Sequence, residues 1–387
     1  MNIKHAIMVV LFLGVCLLAD RADAIGNIHF GPLEVHPFLS LKEEFTDNVY
    51  TTSTDQKSDS ITVTMPGVKV QMPFSMHRVE AEYYAIDRRY GTYSGDDTTD
   101  HHASGLLDLK FGSFFSLAAS GAFDKGHEPR GSSASGFIEI FRKNTGSASA
   151  TYQLANRSKV QLDYSRTSFN FMDSNFRDRD EALASGYLYY RFLPKTSAFI
   201  EYDRKSVDFT PASTTLDNSM DTLSFGITWE ATARSKGTIK AGRTSKDFND
   251  PSEQDFSDWS WSIDLDHKFT EATSVVLVGQ RQINETNYPG IAYFTTTGAY
   301  AEFSHRFMSK MAFLLRGSYG RDVYSNPVPP ETSTREDKTN MMGTGLKYFM
   351  HEWLEFGVDY NKKNRDSNID VNDYRETLYV LSVSMLF

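Results

Sequence analysis

The sequence predicts an all-β chain: a single closed, antiparallel transmembrane β-barrel of about 18 strands. Three observations predict it. The chain opens on an export-type segment, its body alternates apolar and polar residues in a repeat of paired strands, and it ends on an amphipathic strand closed by an aromatic. Composition agrees, since 20 Tyr and 28 Phe help bring aromatics to 13% while Pro is held to 12. Such a balance suits many strands and aromatic girdles rather than disorder.

At the N-terminus, Lys4 and His5 precede an apolar run from Ala6 to Ala19, and Ala22-Asp23-Ala24 has the small-x-small form of a cleavage site. The run is too short for a permanent spanning helix, which needs about 20 residues. Residues 1–24 therefore read as a signal peptide and residues 25–387 as the barrel. The single cysteine, Cys16, lies in the leader, so the mature chain is expected to contain no thiol and to rely on packing or a membrane instead of disulfides. Val15 before it fits a lipoprotein anchor poorly. Beyond the leader no stretch approaches a transmembrane helix, and the mean hydropathy is −0.43. A barrel is compatible with that value, because lipid-facing and lumen-facing residues alternate and average out. Lys4 and Arg21 cancel Asp20 and Asp23, so the mature chain keeps the formal net charge of −10. An acidic balance argues against a nucleic-acid partner.

From Leu33 onward, tight breaks fall near Ser75, Gly112, Asn156, Lys195, Arg234, Glu271, Ser309 and His351. Each interval holds two strands and one longer connection. Val160–Tyr164, Leu223–Trp229, Trp259–Leu265 and Phe356–Tyr360 alternate apolar with polar or small residues, the period of a sheet with one apolar face. The longer connections are Thr51–Ser60, Gly91–His102, Lys125–Ser135, Met172–Glu181, Pro211–Asp221, Asn249–Asp258, Ser325–Lys338 and Arg365–Asp373, with Asn284–Gly290 the only short one. Eight short turns and nine long loops make seventeen connections and hence eighteen strands, with both termini on the short-turn side. Short turns on one rim and long loops on the other are the layout of an outer-membrane barrel. Closure follows from physics, because hydrocarbon leaves no partner for an unpaired backbone edge. A soluble propeller would need four strands per repeat, and no blade signature is present.

Alternation then assigns faces. Trp259, Trp261, Ile263 and Leu265 point to lipid, as do Val79, Ala81 and Tyr83. The lumen is expected to be lined by Arg78, Glu80, Glu82, Asp108, Lys110, Asp163, Glu201, Asp203, Glu230, Lys240, Asp264, Asp266, Glu302, Arg306, Arg316, Glu355 and Asp359. An Arg or Lys at the lipid midplane costs about 2–4 kcal/mol, which drives the assignment. The pattern is mixed around Phe38–Glu44 and Val275–Gln280. The inward set counts twelve acids against five bases. Tyr84, Tyr187 and Tyr189 could add aromatic surface for sugar rings, or serve as packing residues.

Catalytic fingerprints are missing: there is no G-x-S-x-G, H-E-x-x-H, P-loop or dinucleotide motif, and the chain is read as no enzyme and without cofactor. The segment Asp96-Asp97-Thr98-Thr99-Asp100-His101-His102 could collect a divalent cation, but lacks a calcium-loop pattern and reads better as a solvated loop, so no metal site is assigned. Asp173–Asp180 reads as a self-neutralised loop. Ser325-Asn-Pro-Val-Pro-Pro330 is stiff enough to act as a constriction or to stand as an exposed loop.

At the C-terminus, Tyr379, Leu381, Val383, Met385 and Phe387 alternate with Val380, Ser382, Ser384 and Leu386. This resembles the signal by which barrel-insertion machinery recognises outer-membrane proteins. Near the mature N-terminus, His36–Leu41 runs into Glu44-Phe45-Thr46-Asp47-Asn48-Val49, and Ile61–Val70 is broken by Pro66-Gly67. Together these resemble the putative β-barrel porin family of bacterial outer-membrane proteins, a likeness that extends in layout over the mature chain. Asp47 and Asn48 are expected to fix the first outer loop through side-chain bonds to backbone, and Pro66-Gly67 to admit a bend. The resemblance implies a Gram-negative outer-membrane location, a passage for polysaccharide or small hydrophilic solutes, and a part in exopolysaccharide export. Its implied partners are outer-membrane lipid, the insertion machinery, a saccharide polymer and a periplasmic polysaccharide-export lipoprotein. Two other readings remain open: a structural or adhesive surface protein with a blocked lumen, and an outer-membrane enzyme.

Overall fold

The computed structural model describes residues 28–128, 138–173, 175–211, 215–232, 234–286, 288–327 and 332–386. The leader and Phe387 lie outside the described residues. Eighteen long strands run in chain order: β2 (Leu33–Thr46), β3 (Asp59–Phe74), β4 (His77–Tyr90), β5 (Thr98–Phe111), β6 (Phe115–Glu128) and β7 (Glu139–Ala155). They continue as β8 (Ser158–Phe171), β9 (Arg179–Leu193), β10 (Thr196–Phe209), β11 (Asn218–Thr232), β12 (Ser235–Phe248) and β13 (Phe256–Lys268). The last six are β14 (Thr273–Glu285), β15 (Tyr293–Phe307), β16 (Met311–Pro327), β17 (Thr334–His351), β18 (Leu354–Ser367) and β19 (Tyr374–Leu386).

Each strand pairs antiparallel with the next, and β19 returns to β2 from Leu378↔Thr46 to Leu386↔Phe38, closing the sheet. The closed ring is the all-β, 18-strand barrel that the alternation demanded. One element was not anticipated. A short β1 (Ile28–Phe30) pairs with Leu33–Val35 of β2. Since β3 holds the other edge of that stretch, β1 continues the ladder where β19 runs out.

All eight tight turns fall at the expected breaks, two to four residues each. Most outer connections are shorter than the sequence suggested, although the first is longer and the β14–β15 connection keeps its expected length. They run from twelve residues (47–58) down to six (368–373), so the β14–β15 connection is not the only short one. Thr98–His102, Lys125–Glu128 and Arg365–Ser367 belong to strands rather than loops. Above the bilayer both faces of a strand are wet, so alternation fades while the hydrogen-bond ladder persists.

The outer face carries the apolar residues. Leu162, Ile200, Phe225, Ile239, Leu315 and Val358 are all exposed there, between one girdle at the short-turn rim (Phe111, Phe114, Tyr152, Phe192, Phe269) and another higher up (Tyr164, Tyr202, Trp259, Tyr319, Tyr379). Two aromatic belts around an apolar band mark the membrane-embedded zone. The two mixed strands resolve as well. Phe38, Ser40, Lys42 and Glu44 line the inside of β2, whereas Val275, Leu277 and Gly279 lie on the outside of β14.

The first outer loop is fixed as expected. Fully buried Asn48 donates from Nδ2 to the carbonyls of Thr52 (2.8 Å) and Arg375 (2.9 Å), and Asp47 Oδ1 accepts from the Thr377 amide at 2.7 Å. At the Pro66-Gly67 step the β3–β4 ladder skips Met65 and Pro66, and it resumes at Gly67↔Tyr84 in the same register as Thr64↔Asp87, so the break adds no bulge. Gly67 is required for a packing reason: a Cβ there would run into the Phe38 ring. Gly67→Ala should therefore cost about 1–3 kcal/mol, read as a lower urea midpoint in a folded-against-unfolded gel assay. An unchanged midpoint would show that the Phe38 ring yields freely.

Candidate functional site

The inner wall is polar and knitted by ion pairs. Lys240 on β12 reaches both oxygens of buried Glu201 on β10 at 2.7 Å, passing over β11. It can do so because β11 presents Ser224 and Gly226 at that level. Arg316 on β16 likewise reaches Asp359 on β18 at 2.6 Å, while its Nε donates to Glu302 at 2.9 Å. The intervening β17 carries Gly343 and Gly345, and a Cβ at Gly345 would strike the Asp359 carboxylate. Small residues on the middle strand thus permit ion pairs between second-neighbour strands.

The other residues expected in the lumen are distributed as follows. Arg78 meets Glu80 at 3.1 Å and Asp108 at 4.0 Å, with Lys110 3.9 Å from Asp108. Glu355 pairs with Lys347 at 2.8 Å and Asp266 with Lys236 at 3.3 Å. Asp163 accepts from Gln161 at 2.8 Å, and the Arg306 guanidinium lies 5.0 Å from the Phe349 ring centre. Glu82 lines a cavity of about 820 Å³ with Arg316, Glu355 and Asp359, and Asp203 lines one of about 340 Å³ with Lys240. Asp264 shares the face of Thr238, whereas Glu230 sits where the β11–β12 register breaks at the short-turn rim. These cavities also take Lys42, Lys69, Lys205 and Lys347, which alternation had missed. With Glu44 added on the acid side as well, the lumen is closer to balance than the twelve-to-five count suggested.

Aromatic surface is concentrated on β8–β10. The Tyr187 and Tyr189 rings lie 5.8 Å apart at 17°, Phe199 is 5.3 Å from Tyr189, and Lys159 Nζ stands 4.2 Å over Tyr189. Glu201 and Ser185 share that face. Tyr84 is elsewhere, stacked on His102 at 4.7 Å.

One connection at the long-loop rim, marked in the sequence only by its shortness, packs against the inner wall. Between β14 and β15 the chain turns inward. Glu285 forms a buried pair with Lys246 of β12 (2.8 and 3.0 Å), and Tyr293 packs on Phe256 at 4.7 Å. Tyr288 meets the Tyr324 ring edge-on at 5.8 Å and accepts from Arg335 at 2.8 Å. Arg335 in turn holds Asp337 with a forked set of bonds of 2.6–3.0 Å. Ile291 is fully buried beneath them. This inward turn explains why the β13–β14 ladder stops at Trp261↔Arg281, short of the strand ends. The stiff segment at Ser325 is partly strand, β16 running to Pro327, and Val328-Pro329-Pro330 lie outside the described residues.

Two loop expectations change. Asp96–His102 does not converge: Asp97 accepts from the Tyr90 amide, Asp100 pairs with Arg88 and His127, His102 with Asp124, and His101 meets Tyr83 on the outer face. Among the described residues no three metal-ligating side chains cluster. Asp173–Asp180 is tied to its neighbours rather than self-neutralised, since buried Arg177 grips Glu128 (2.8 Å) and Glu139 (3.0 Å) of the adjacent hairpin.

In fold the chain is similar to the outer-membrane protein opdK from Pseudomonas aeruginosa (8% identity, covering 91% of this chain and 99% of that one, TM-score 0.50). A BenF-like porin from Pseudomonas fluorescens Pf-5 is also similar (9% identity, 91% and 99%, TM-score 0.49). At such identities the likeness is one of architecture alone. No curated protein matches the chain in sequence. A family model described as putative beta-barrel porin 2 matches residues 22–387. Closed ring, lipid-facing girdles and that match together establish that the chain belongs to the putative beta-barrel porin 2 family and is a porin-like outer-membrane β-barrel channel.

Proposed function

We propose that the lumen passes polysaccharide or small hydrophilic solutes of low net charge, as the outer-membrane step of exopolysaccharide export. The observation that carries this reading is the Tyr187–Tyr189–Phe199 platform beside the neutralised Glu201–Lys240 pair. Flat aromatic faces bind the apolar faces of sugar rings, while adjacent paired charges and hydroxyls offer hydrogen bonds without a strong field. A periplasmic polysaccharide-export lipoprotein would deliver the polymer to the short-turn rim. C-terminal residues Tyr379, Leu381, Val383 and Met385, with Phe387, would serve the insertion machinery.

Planar-bilayer recording tests the proposal. The barrel should conduct with weak ion selectivity, and neutral oligosaccharides should block the current in steps. Tyr187→Ala with Tyr189→Ala should shorten sugar dwell times by about tenfold, which is the loss of roughly 1.4 kcal/mol of stacking. A sealed barrel, a strong anion preference, or sugar block indifferent to both tyrosines would overturn it.

A further inference from the structure

A second pattern lies on the outside of the barrel. Four strands that run from the short turns toward the long loops contain the same triplet: Tyr164-Ser-Arg166, Tyr202-Asp-Arg204, Tyr319-Gly-Arg321 and Tyr360-Asn-Lys362. Residues two apart share a face, so each cation stands one step above a girdle tyrosine on the lipid side. Two further strands of that direction carry Phe123-Asp-Lys125 and Ala241-Gly-Arg243 on the same face, whereas Arg281 of β14 turns to Asp258 and lines the lumen cavity with Lys240.

The heights fall within one two-residue step of each other. The cation lies eight residues beyond the first residue of β8, β10, β12 and β18, and ten beyond that of β6 and β16. At about 3.3 Å per residue and a tilt of ~40°, this is roughly 20–25 Å above the short-turn rim. An outer-membrane barrel's apolar band is ~25 Å tall. The six cations therefore form a belt at the outer-leaflet interface, on six of the nine strands that run in that direction.

Local acids do not account for the belt. Arg166, Arg204 and Arg321 pair with Asp180, Asp221 and Glu336, yet their side chains remain 66%, 62% and 45% exposed. Arg243 donates to Ser257 Oγ at 2.9 Å, and among the described residues neither it, Lys125 nor Lys362 has a carboxylate partner in ion-pair range. Lys125 even stands directly opposite Arg142, whereas Arg321 and the facing Lys338 share the Glu336 carboxylate at 2.8 and 3.3 Å. Like charges facing across strands are destabilising unless an anion sits between them.

We infer that this belt binds the phosphate-bearing headgroups of outer-leaflet glycolipid, with the tyrosines beneath it against the sugar–acyl boundary. Exposed guanidinium groups match phosphate by charge and by their forked donors. The inference rests on the barrel's place in the membrane and not on what passes through it.

Native mass spectrometry of the whole barrel in neutral detergent tests this, with bis-phosphorylated lipid A, the same lipid stripped of phosphate, and inorganic phosphate as probes. Wild-type barrel should retain the phosphorylated lipid at least tenfold better than the stripped one, and inorganic phosphate should not displace it. Retention should fall by a similar factor in the R166Q/R204Q/R243Q/R321Q variant. Should that variant fail to fold, Arg243→Gln alone, which orphans no carboxylate, should still lower retention two- to threefold with unchanged gel mobility. Equal retention of both lipids, undiminished retention in a folded variant, or displacement by inorganic phosphate would overturn the inference.

Discussion

Lys246→Ala is expected to destabilise the barrel by about 3–5 kcal/mol, the cost of leaving one member of a buried ion pair without its partner. Lys246 and Glu285 are 0% and 3% exposed, and they lie 2.8 and 3.0 Å apart. Removal of the ammonium leaves Glu285 with only Asn218 Nδ2, at 3.2 Å, to balance its charge. The pair also anchors the inward turn after β14, because Lys246 belongs to β12 and β13 is unpaired with β14 at that level. Urea unfolding followed by gel mobility should show the loss in Lys246→Ala and a comparable one in Glu285→Ala. The double variant Lys246→Met with Glu285→Met should recover most of it, since a matched apolar pair removes both desolvation costs. Single variants with wild-type midpoints would mean that water reaches the pair and screens it.

Legibility in the sequence followed the membrane. Within the apolar band each residue answers to one of two solvents, and alternation is enforced at every step. The eight short turns, the outward Trp259 and the inward Glu201 and Asp359 could therefore be read directly. Above the band that pressure disappears. Thr98–His102 looked like loop because it is polar on both sides, yet it is strand. Lys42 and Lys69 were passed over because β2 and β3 mix polar and apolar residues on each face. The second-neighbour pairs Lys240–Glu201 and Arg316–Asp359 depend on glycines and serines of a third strand, information that no single strand contains. The inward turn after β14 is tertiary throughout, built from Phe256, Tyr324 and Arg335 on three other strands. The Y-x-[R/K] triplets were the exception: they were in plain view, and only counting from each strand's start reveals that they lie within one two-residue step of the same level.

Arg335→Ala should widen the mouth. The guanidinium is 3% exposed and lies 5.1 Å from the ring centres of both Tyr288 and Tyr324, while it donates to the Tyr288 hydroxyl and forks onto Asp337. Among the described residues it thus fastens the inward connection to β16 and β17 at the same time. Without it, Asp337 is buried without its partner and Tyr288 loses both its hydrogen bond and its cation–π contact. A local loss of about 3 kcal/mol would shift the ratio of docked to released connection about a hundredfold. In planar bilayers the variant should show a larger mean conductance and noisier openings than wild type. Arg335→Lys should fall between them, because an ammonium keeps the charge but cannot bridge a carboxylate and a phenol with one planar fork. Tyr288→Phe isolates the hydrogen bond and should give a smaller rise than Arg335→Ala. If all three conduct as wild type does, the connection is held by Ile291 and the Lys246–Glu285 pair, and Arg335 serves only to neutralise Asp337.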